Sequence, residues 1–331
     1  MKVVTFERNR ELRLGVVEGN RILDIKELSH LLKGRRMRNE MKKSDRLRSA
    51  AGFLSEVSEL PQDMISLLQN GRAWLKNLGK LASITTHLAL EKKSWIPENL
   101  FLRLDSTRLR SPILQPPKII CVGRNYSEHA RESGHAPPAN PIFFSKPNSA
   151  ICDPGRPIRL PSISQQVDYE AELAVVIGRR GYKIPVEKAH EYIAGYTLTN
   201  DVSARDMQEA DGQWFRAKSC DTFAPLGPWI VTADEIDDAH HLRITLTLNG
   251  QVMQDSNTSN LIFKIPFLIS YLSNSVTWEV GDILATGTPP GVGLHRTPPV
   301  FLKPGDTVSV SVQDVGTLKN TVVDSEKRWP A

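Results

Sequence analysis

The segment VDYEAELAVVIG at residues 167–178 limits the fold more strongly than any other part of the chain. Its second half, ELAVVIG at 172–178, is a short apolar run that predicts a buried strand. Its first half carries Asp168, Glu170 and Glu172 at alternate positions, so the three carboxylates share one face of an extended strand. Because like charges at the edge of a core repel one another, the fold must supply a cation, a proton or solvent there.

Two interpretations of these carboxylates remain open from this segment alone. A hard divalent cation such as Mg²⁺ prefers oxygen ligands and would neutralise them. Alternatively, the segment is a solvated face at the start of a strand, with arginine side chains nearby. Downstream, TNDVSARDMQ at residues 199–208 adds Asp201 and Asp206, in a segment after an apolar strand where loops often carry function. The acidic site therefore has several candidate carboxylates.

Strand patterns dominate the chain outside one helical stretch. The first 25 residues hold three short β-prone runs, and Asn249-Gly250 between alternating segments predicts a hairpin turn. KIICVG at 118–123 predicts a buried strand, and residues 306–313 alternate apolar and polar side chains. MISLLQ and AWLKNLGKLA have helical spacing instead. The predicted class is α+β with a dominant mixed or antiparallel sheet, and no glycine-rich nucleotide-binding motif is present.

The prolines of SPILQPPK at 111–118 predict a domain boundary. We therefore expect a small N-terminal α+β domain at residues 1–110 and a catalytic domain at residues 111–331. The leader contains a basic run at residues 33–48 with eight basic and two acidic residues, which accounts for the net charge of +5. Because no aromatic residues interleave with these charges, a solvated surface is favoured over a nucleic-acid site.

Three further features bear on location and partners. The three cysteines form no CxxC pair, which favours reduced thiols in an intracellular protein. The start MKVVTFERNRELRLG has no apolar core of a signal peptide, so a cytoplasmic location is expected. No apolar run reaches the roughly 20 residues of a transmembrane helix, so no membrane partner is expected.

Candidate catalytic groups flank the acidic segment on both sides. His129 and Glu132 stand three residues apart in VGRNYSEHARESG, so on a helix the carboxylate can fix the imidazole tautomer for a general base. Glycines and prolines around this helix indicate a mobile lid. Lys218 is the lysine of WFRAKSCDTFAPLG and could stabilise an oxyanion, although such a residue is more often a surface lysine. GDILATGTPPGVG at 281–293 could bring backbone amides to an anionic ligand, or be a plain turn.

Taken in order, these segments resemble one family. GRNYSEHARE, FFSKP, DYEAELAVVIG, NDVSARD, AKSCDTFAPLGP, TGTPPGVG and the tail GVGLHRTPPVFLKPGDTV are similar to the fumarylacetoacetate hydrolase superfamily. The resemblance covers about residues 110–325 and is greatest to the fumarylacetoacetate hydrolase domain-containing proteins. It implies a mixed β-sheet roll or barrel with a smaller N-terminal domain, and a homodimer.

The resemblance also implies roles for individual residues. It makes Glu170, Glu172 and Asp201 the ligands of Mg²⁺ or Mn²⁺, with Ca²⁺ as an alternative, and leaves Asp168 as a neighbour. It implies catalytic roles for His129, Glu132 and Lys218, and substrate contacts for Arg124, Gln208 and Thr288.

The implied substrate is a small 2-oxo or β-diketo acid. The first hypothesis is hydrolysis of a C–C bond in an acylpyruvate, in which His129 and Glu132 activate water and Lys218 holds the leaving enolate. Members of the superfamily also decarboxylate oxaloacetate and catalyse keto–enol tautomerisation or isomerisation, and the motifs are shared by all of them. A different class of hypothesis is a non-catalytic relative that docks through the basic segment.

Overall fold

The computed structural model describes residues 1–34, 39, 60–61, 63–91, 95–132, 134 and 136–324. Nearly all of the basic run at 33–48 lies outside these ranges, and so does its predicted surface role. Within them, the helices are α1 Ile25–Lys33, α2 Met64–Gln69, α3 Gly71–Leu90, α4 Ser127–Glu132, α5 Arg205–Asp211, α6 Phe215–Lys218 and α7 Ile265–Ser273.

The strands follow the predicted pattern over most of the described chain. They are β1 Lys2–Arg8, β2 Glu11–Glu18, β3 Arg21–Asp24, β4 Phe101–Arg103, β5 Leu109–Arg110, β6 Ile119–Gly123, β7 Ile142–Lys146, β8 Ile151–Cys152, β9 Ile158–Leu160, β10 Val167–Asp168, β11 Ala171–Ile177, β12 Ile193–Asn200, β13 Ser203–Ala204, β14 Ala224–Thr232, β15 Arg243–Leu248, β16 Gln251–Asn257, β17 Ile283–Ala285, β18 Thr307–Val312 and β19 Gly316–Asp324.

Local patterns explain several of these elements. Asn249 and Gly250 both adopt positive φ, at 53° and 83°, and join β15 to β16 in the predicted hairpin. The alternating segment at 306–313 forms β18, whose side chains alternate between intermediate exposure and burial. The helical spacing of MISLLQ and AWLKNLGKLA is confirmed by α2 and α3.

The main sheet contains twelve strands in the order β4-β3-β2-β1-β14-β12-β11-β17-β6-β7, with β5 paired to β1 and β8 paired to β14. The pairs β17–β6 and β14–β8 are parallel, which confirms a mixed sheet of the α+β class. Across the described strands this order is open and does not close into a barrel. Because β1 pairs with β14, the N-terminal strands extend this same sheet. The division of the chain at residue 110 stays a prediction.

Strand β11 passes through the centre of the core. All seven of its residues are buried, since the two faces of the sheet contact different hydrophobic clusters. Leu173, Val175 and Ile177 belong to the cluster that includes the five-stranded sheet β16-β15-β18-β19-β9. Ala174 and Val176 belong to the cluster that includes α2 and α3. This burial on both sides explains why the sequence is continuously apolar there.

The start of β11 and the end of β12 lie side by side. The two strands are antiparallel, with Ala171 opposite Asn200 and Glu172 opposite Thr199. The backbone N–H of Asp201 also donates to the carbonyl of Glu170 across 2.9 Å. Segments that are about thirty residues apart in sequence therefore place their acidic side chains at one end of the sheet core.

Candidate active site

Three buried carboxylates converge where β11 begins and β12 ends. Glu170, Glu172 and Asp201 each offer one oxygen such that these atoms all lie within 4.8 Å of one another. The exposed fractions of the three residues are 5%, 1% and 1%. Backbone pairing sets this arrangement, because Glu170 and Asp201 are neighbours across the ladder and Glu172 is the second residue of β11.

Two lysines contact this cluster from neighbouring elements. Lys218, the last residue of α6, places Nζ 2.7 Å from Glu170 Oε2 and 2.8 Å from Asp201 Oδ2. Lys146, the last residue of β7, forms an ion pair with the other oxygen of Asp201 and donates to the carbonyl of Val202 across 3.1 Å. Both lysines are almost completely buried, so their charges act through protein rather than through water.

Asp168 lies beside the carboxylate cluster but does not join the three converging oxygens. Residues 169–170 interrupt the extended segment between β10 and β11, and the Asp168 carboxylate is fully occupied elsewhere. It accepts hydrogen bonds from the amides of Gly293 at 2.7 Å and Leu294 at 3.0 Å, and from Arg205 Nε at 2.9 Å. Asp168 is therefore a neighbour of the three converging carboxylates and not one of them.

Four carboxyl groups and three cationic groups meet in this cluster. Its carboxylates are Asp168, Glu170, Glu172 and Asp201, and its cationic groups are Lys146, Lys218 and Arg205. Burial raises the pKa of Glu172 well above its usual range, and the charges of Asp201 and Glu170 raise it further. Burial also raises the pKa of Glu170, but the opposing charges of Lys218 and Arg205 are stronger and hold it below its ordinary value. A buried donor set made of three carboxyl groups, with oxygen ligands only, fits a hard divalent cation.

The predicted pair of His129 and Glu132 forms on α4. His129 Nδ1 lies 3.3 Å from Glu132 Oε2, at the i, i+3 spacing expected on a helix. The backbone N–H of Gly291 lies 3.1 Å from each carboxylate oxygen of Glu132. Burial raises the pKa of Glu132, but these hydrogen bonds and the nearby histidine outweigh it and lower the pKa overall. The loop at residues 287–291 therefore anchors the helix that carries His129.

A cavity of about 330 Å³ joins the carboxylates to this helix. Eight of the nine residues singled out from the sequence line it, namely Arg124, His129, Glu170, Glu172, Asp201, Gln208, Lys218 and Thr288. The ninth, Glu132, stands behind His129 and contacts its ring. This volume is at the lower end of the range for small-molecule pockets, and suits an acid of few carbon atoms.

The remaining predicted contacts are held in place by neighbours. Arg124 has a φ of 55° and its guanidinium lies 5.7 Å from the Trp214 ring centroid. Gln208 Oε1 accepts from Arg205 Nη1 across 3.0 Å. Thr288 Oγ1 accepts from Gln254 Nε2 across 2.8 Å. Each of these side chains thus has a protein partner that orients it beside the cavity.

The family model described as "Fumarylacetoacetate (FAA) hydrolase C-terminal" matches residues 118–323. The chain belongs to the fumarylacetoacetate hydrolase family. The predicted resemblance is confirmed, including its particular similarity to the fumarylacetoacetate hydrolase domain-containing branch.

Relatives in this family carry several enzyme names. The protein "Oxaloacetate tautomerase FAHD2A, mitochondrial" from Bos taurus is 45% identical over 266 residues, which are 80% of this chain and 81% of the relative. The crystal structure of 5-carboxymethyl-2-hydroxymuconate delta-isomerase from Mycobacterium smegmatis has a TM-score of 0.68 at 34% identity, covering 99% of this chain and 100% of the other.

A further solved structure was determined with ligands. Maleylpyruvate hydrolase from Sphingobium sp. SYK-6, in complex with manganese(II) and pyruvate, has a TM-score of 0.70 at 29% identity. The alignment covers 98% of this chain and 100% of that chain. Members of the fumarylacetoacetate hydrolase family are thus enzymes that include a tautomerase, an isomerase and a hydrolase, and small oxo acids are among their substrates.

Sequence reasoning did not single out three residues that line or support the site of this family member. Lys146 stands in FFSKP, where a lone lysine after an apolar strand is a detectable signal. Arg205 follows Asp201 in NDVSARD, and His295 ends the 3-10 turn Gly293–His295 in GVGLHR. Each of these three residues contacts a residue that lies between 35 and 166 positions away in the sequence. Local sequence patterns do not indicate contacts over such separations.

In the part of the chain that the structure describes, none of the helices has the length and apolar character needed to cross a bilayer.

Proposed function

We propose that this protein is a divalent-metal-dependent enzyme that interconverts the keto and enol forms of a small 2-oxo acid, with oxaloacetate as the substrate. The observation that carries the proposal is the convergence of Glu170, Glu172 and Asp201 on the same cavity as His129. The name of the bovine relative supports tautomerisation ahead of the hydrolysis first inferred from the motifs.

The three carboxylates Glu170, Glu172 and Asp201 would hold Mg²⁺ or Mn²⁺. Such an ion, when bound, supplies positive charge that polarises the oxo group and favours its enolate. The manganese of the hydrolase from Sphingobium supports this class of ion, and Ca²⁺ remains an alternative that binding measurements can separate.

Lys218 contributes a second, fixed positive charge. Burial lowers its pKa, but Asp201 and Glu170 raise it more, so the ammonium form is maintained. Its Nζ is within 2.8 Å of carboxylate oxygens on two sides and cannot move far when the substrate reacts. A preorganised cation beside the oxo oxygen stabilises the charge that develops there.

His129 is the proposed acid–base group at the carbon next to the oxo group. Donation of Nδ1–H to Glu132 leaves the lone pair on Nε2, which can accept a proton from that carbon. The electrons of the C–H bond then form the C=C bond, and the carbonyl π electrons move to oxygen. Arg124, Gln208 and Thr288 offer guanidinium, amide and hydroxyl groups for the substrate carboxylates.

Hydrolysis of an acylpyruvate is the second candidate, and the pairing of His129 with Glu132 at 3.3 Å favours it as well. The same imidazole would deprotonate water, which would add to the distal carbonyl, and the C–C bond would break to release the pyruvate enolate. Decarboxylation of oxaloacetate needs the same electron sink without the water. The non-catalytic alternative is disfavoured, because a lost activity would not require this complete set of groups.

The decisive experiment follows three reactions separately with one preparation. Metal-free protein is supplied with Mg²⁺, Mn²⁺ or Ca²⁺ and given enol-oxaloacetate, an acylpyruvate or keto-oxaloacetate, with enol absorbance, product acids and CO₂ recorded against protein-free controls. We expect metal-dependent loss of the enol to be the fastest reaction, and His129→Gln to slow it by about 10²-fold or more. The matched control is His241→Gln, an exposed histidine paired with Asp238.

Fast release of the acid products with no effect on the enol would instead establish hydrolysis as the activity. Enol conversion that is equally fast without any divalent ion would contradict the metal requirement. A homodimer and a cytoplasmic location are further proposals. Sedimentation analysis would test the first, and the location of the tagged full-length protein in its own cell would test the second.

A further inference from the structure

His295 lies at the cavity in a position that the mechanism above leaves unused. It ends the short 3-10 turn Gly293–His295 after the glycine-rich loop, and its side chain lines the same cavity as His129. The two imidazole centroids are 6.0 Å apart, with their planes tilted by 57°. Two acid–base side chains from distant parts of the chain thus face one small cavity.

The turn that carries His295 is held by a buried charge. The amides of Gly293 and Leu294 donate to the two oxygens of Asp168 at 2.7 and 3.0 Å. A side chain at Gly293 would overlap the backbone oxygen of Val300 and approach Asp168, so the backbone is closely packed there. The imidazole of His295 is therefore presented from a rigid support, as a group that reacts with substrate requires.

The electrostatic surroundings of the two histidines differ. His129 has the Glu132 carboxylate beside Nδ1. The charged and titratable groups that act on His295 include Glu132, His129, Arg205 and Asp168. Burial lowers the pKa of His295, His129 and Arg205 add to this, and the two carboxylates oppose it. A neutral imidazole near neutral pH can both accept and donate a proton, which suits exchange in either direction.

We propose that His295 is a second catalytic residue, which exchanges the proton on the substrate oxygen while His129 exchanges the proton on the adjacent carbon. This inference rests on the proposed tautomerase function. In the direction from enol to keto form, His295 Nδ1 or Nε2 accepts the hydroxyl proton. The C=O bond re-forms from the electrons of the O–H bond, and the C=C electrons take the Nε2 proton of a His129 imidazolium, which thereby becomes neutral. Each imidazole then returns to its starting state by exchange with solvent.

The chemistry requires two sites of proton transfer. A keto–enol shift moves one proton from oxygen to solvent and another from solvent to carbon, at neighbouring atoms of one small molecule. A single imidazole would have to serve both atoms in turn. Two imidazoles at 6.0 Å can each stay close to one of them.

The test separates the two proton transfers. Net conversion of enol-oxaloacetate is followed by absorbance, and wash-in of deuterium at carbon 3 of keto-oxaloacetate is followed by proton magnetic resonance in heavy water. Both are measured with Mn²⁺-loaded protein and corrected for the spontaneous rate. We expect His295→Gln to slow net conversion by about 10²-fold while carbon exchange stays within about threefold of the wild-type rate. His129→Gln should slow both.

Two controls distinguish a structural effect of the His295 substitution from a catalytic effect. His295→Phe keeps a planar ring and should reproduce the result of His295→Gln, and both variants should keep wild-type Mn²⁺ affinity by calorimetry. His241→Gln should change neither reaction. Equal losses of conversion and exchange in both His295 variants would overturn the proposal, and so would full net conversion. A wild-type protein that does not accelerate enol conversion would instead overturn the tautomerase function itself.

Discussion

Arg205 Nε donates to Asp168 Oδ2 across 2.9 Å in a part of the site that is closed to solvent. The other arm of the guanidinium, Nη2, lies 2.6 Å from Glu170 Oε1. The Arg205 guanidinium therefore binds two carboxylates. Asp168 supports the loop that carries His295, and Glu170 belongs to the proposed metal site. Asp168 and Glu170, two residues apart in sequence, therefore have different structural roles.

Replacement of Asp168 should expose the energetic role of this bridge. Asp168→Ala leaves Arg205 with one fewer carboxylate and leaves two loop amides without their acceptor, so we expect the free energy of unfolding to fall by about 3–5 kcal/mol. Urea denaturation measures this. The control is Asp255→Ala, which removes an exposed partner of Arg243 and should change stability little. Similar losses in the two variants would contradict the assigned importance of the buried bridge.

Metal affinity should depend on Glu172 and not on the other acidic candidate, Asp206. Asp206 accepts from Ser164 Oγ at 2.6 Å and from the Gln165 amide at 2.9 Å, away from the cavity lining. We expect Glu172→Gln to lower Mn²⁺ affinity by more than about tenfold in calorimetry, because a charged ligand is lost. Asp206→Asn should keep the wild-type affinity. The ligand assignment fails if Glu172→Gln binds Mn²⁺ as tightly as the wild type.

The amide of Gly291 should be required to hold Glu132. Gly291 has a φ of 99°, and an added Cβ would overlap the backbone oxygen of Met253. Gly305 has a similar φ of 95° with open space around it, so Gly305→Ala measures backbone strain alone, on the order of 1 kcal/mol. Gly291→Ala should cost more stability than that and lower kcat/KM for the enol. Thermal unfolding and kinetics of both variants check this, and equal effects would refute it.

The stability of the protein should fall on mild acidification through His240. The amide of Ile265, at the start of α7, donates to His240 Nε2 across 3.1 Å, so the fold requires this nitrogen unprotonated. Burial lowers the pKa of His240 from 6.5, with Lys264 and His241 adding to this and Asp238 opposing it. Because the unfolded chain protonates first, the stabilising contribution is complete above pH 6.5 and is lost as the pH falls below it.

Urea denaturation between about pH 7 and pH 5 tests this, since histidine titrates in that interval. The free energy of unfolding should decrease more steeply for the wild type than for His240→Gln, whose amide oxygen still accepts from Ile265 but does not titrate. His87→Gln, an exposed histidine paired with Glu91 on another helix, should follow the wild-type curve. Parallel curves for the wild type and His240→Gln would show that His240 is not responsible.

Local patterns in the sequence determined much of the architecture. The alternation in β18, the Asn249-Gly250 turn and the apolar run of β11 depend on residues that are close in the chain, and the structure contains all three as predicted. The contact of His129 with Glu132 belongs to the same class, because helical geometry alone brings residues three positions apart together.

The tertiary structure alone decided how the carboxylates are divided. Alternation offered Asp168, Glu170 and Glu172 together, but Asp168 is held by Arg205 and two loop amides and does not join the converging oxygens. Pairing of β11 with β12 brought in Asp201, which the residues themselves offered as a candidate and the family resemblance selected.

The tertiary structure alone also decided which side chains from distant parts of the chain reach the site. Lys146 is 55 positions from the aspartate that it contacts, and His295 is 166 positions from His129. Side-chain periodicity reports which face of an element is buried, but not which element will pack against it. The sequence by itself therefore offered the acidic residues of the site. Its cations and its second imidazole were decided by the packing of strands and turns that are distant in the chain.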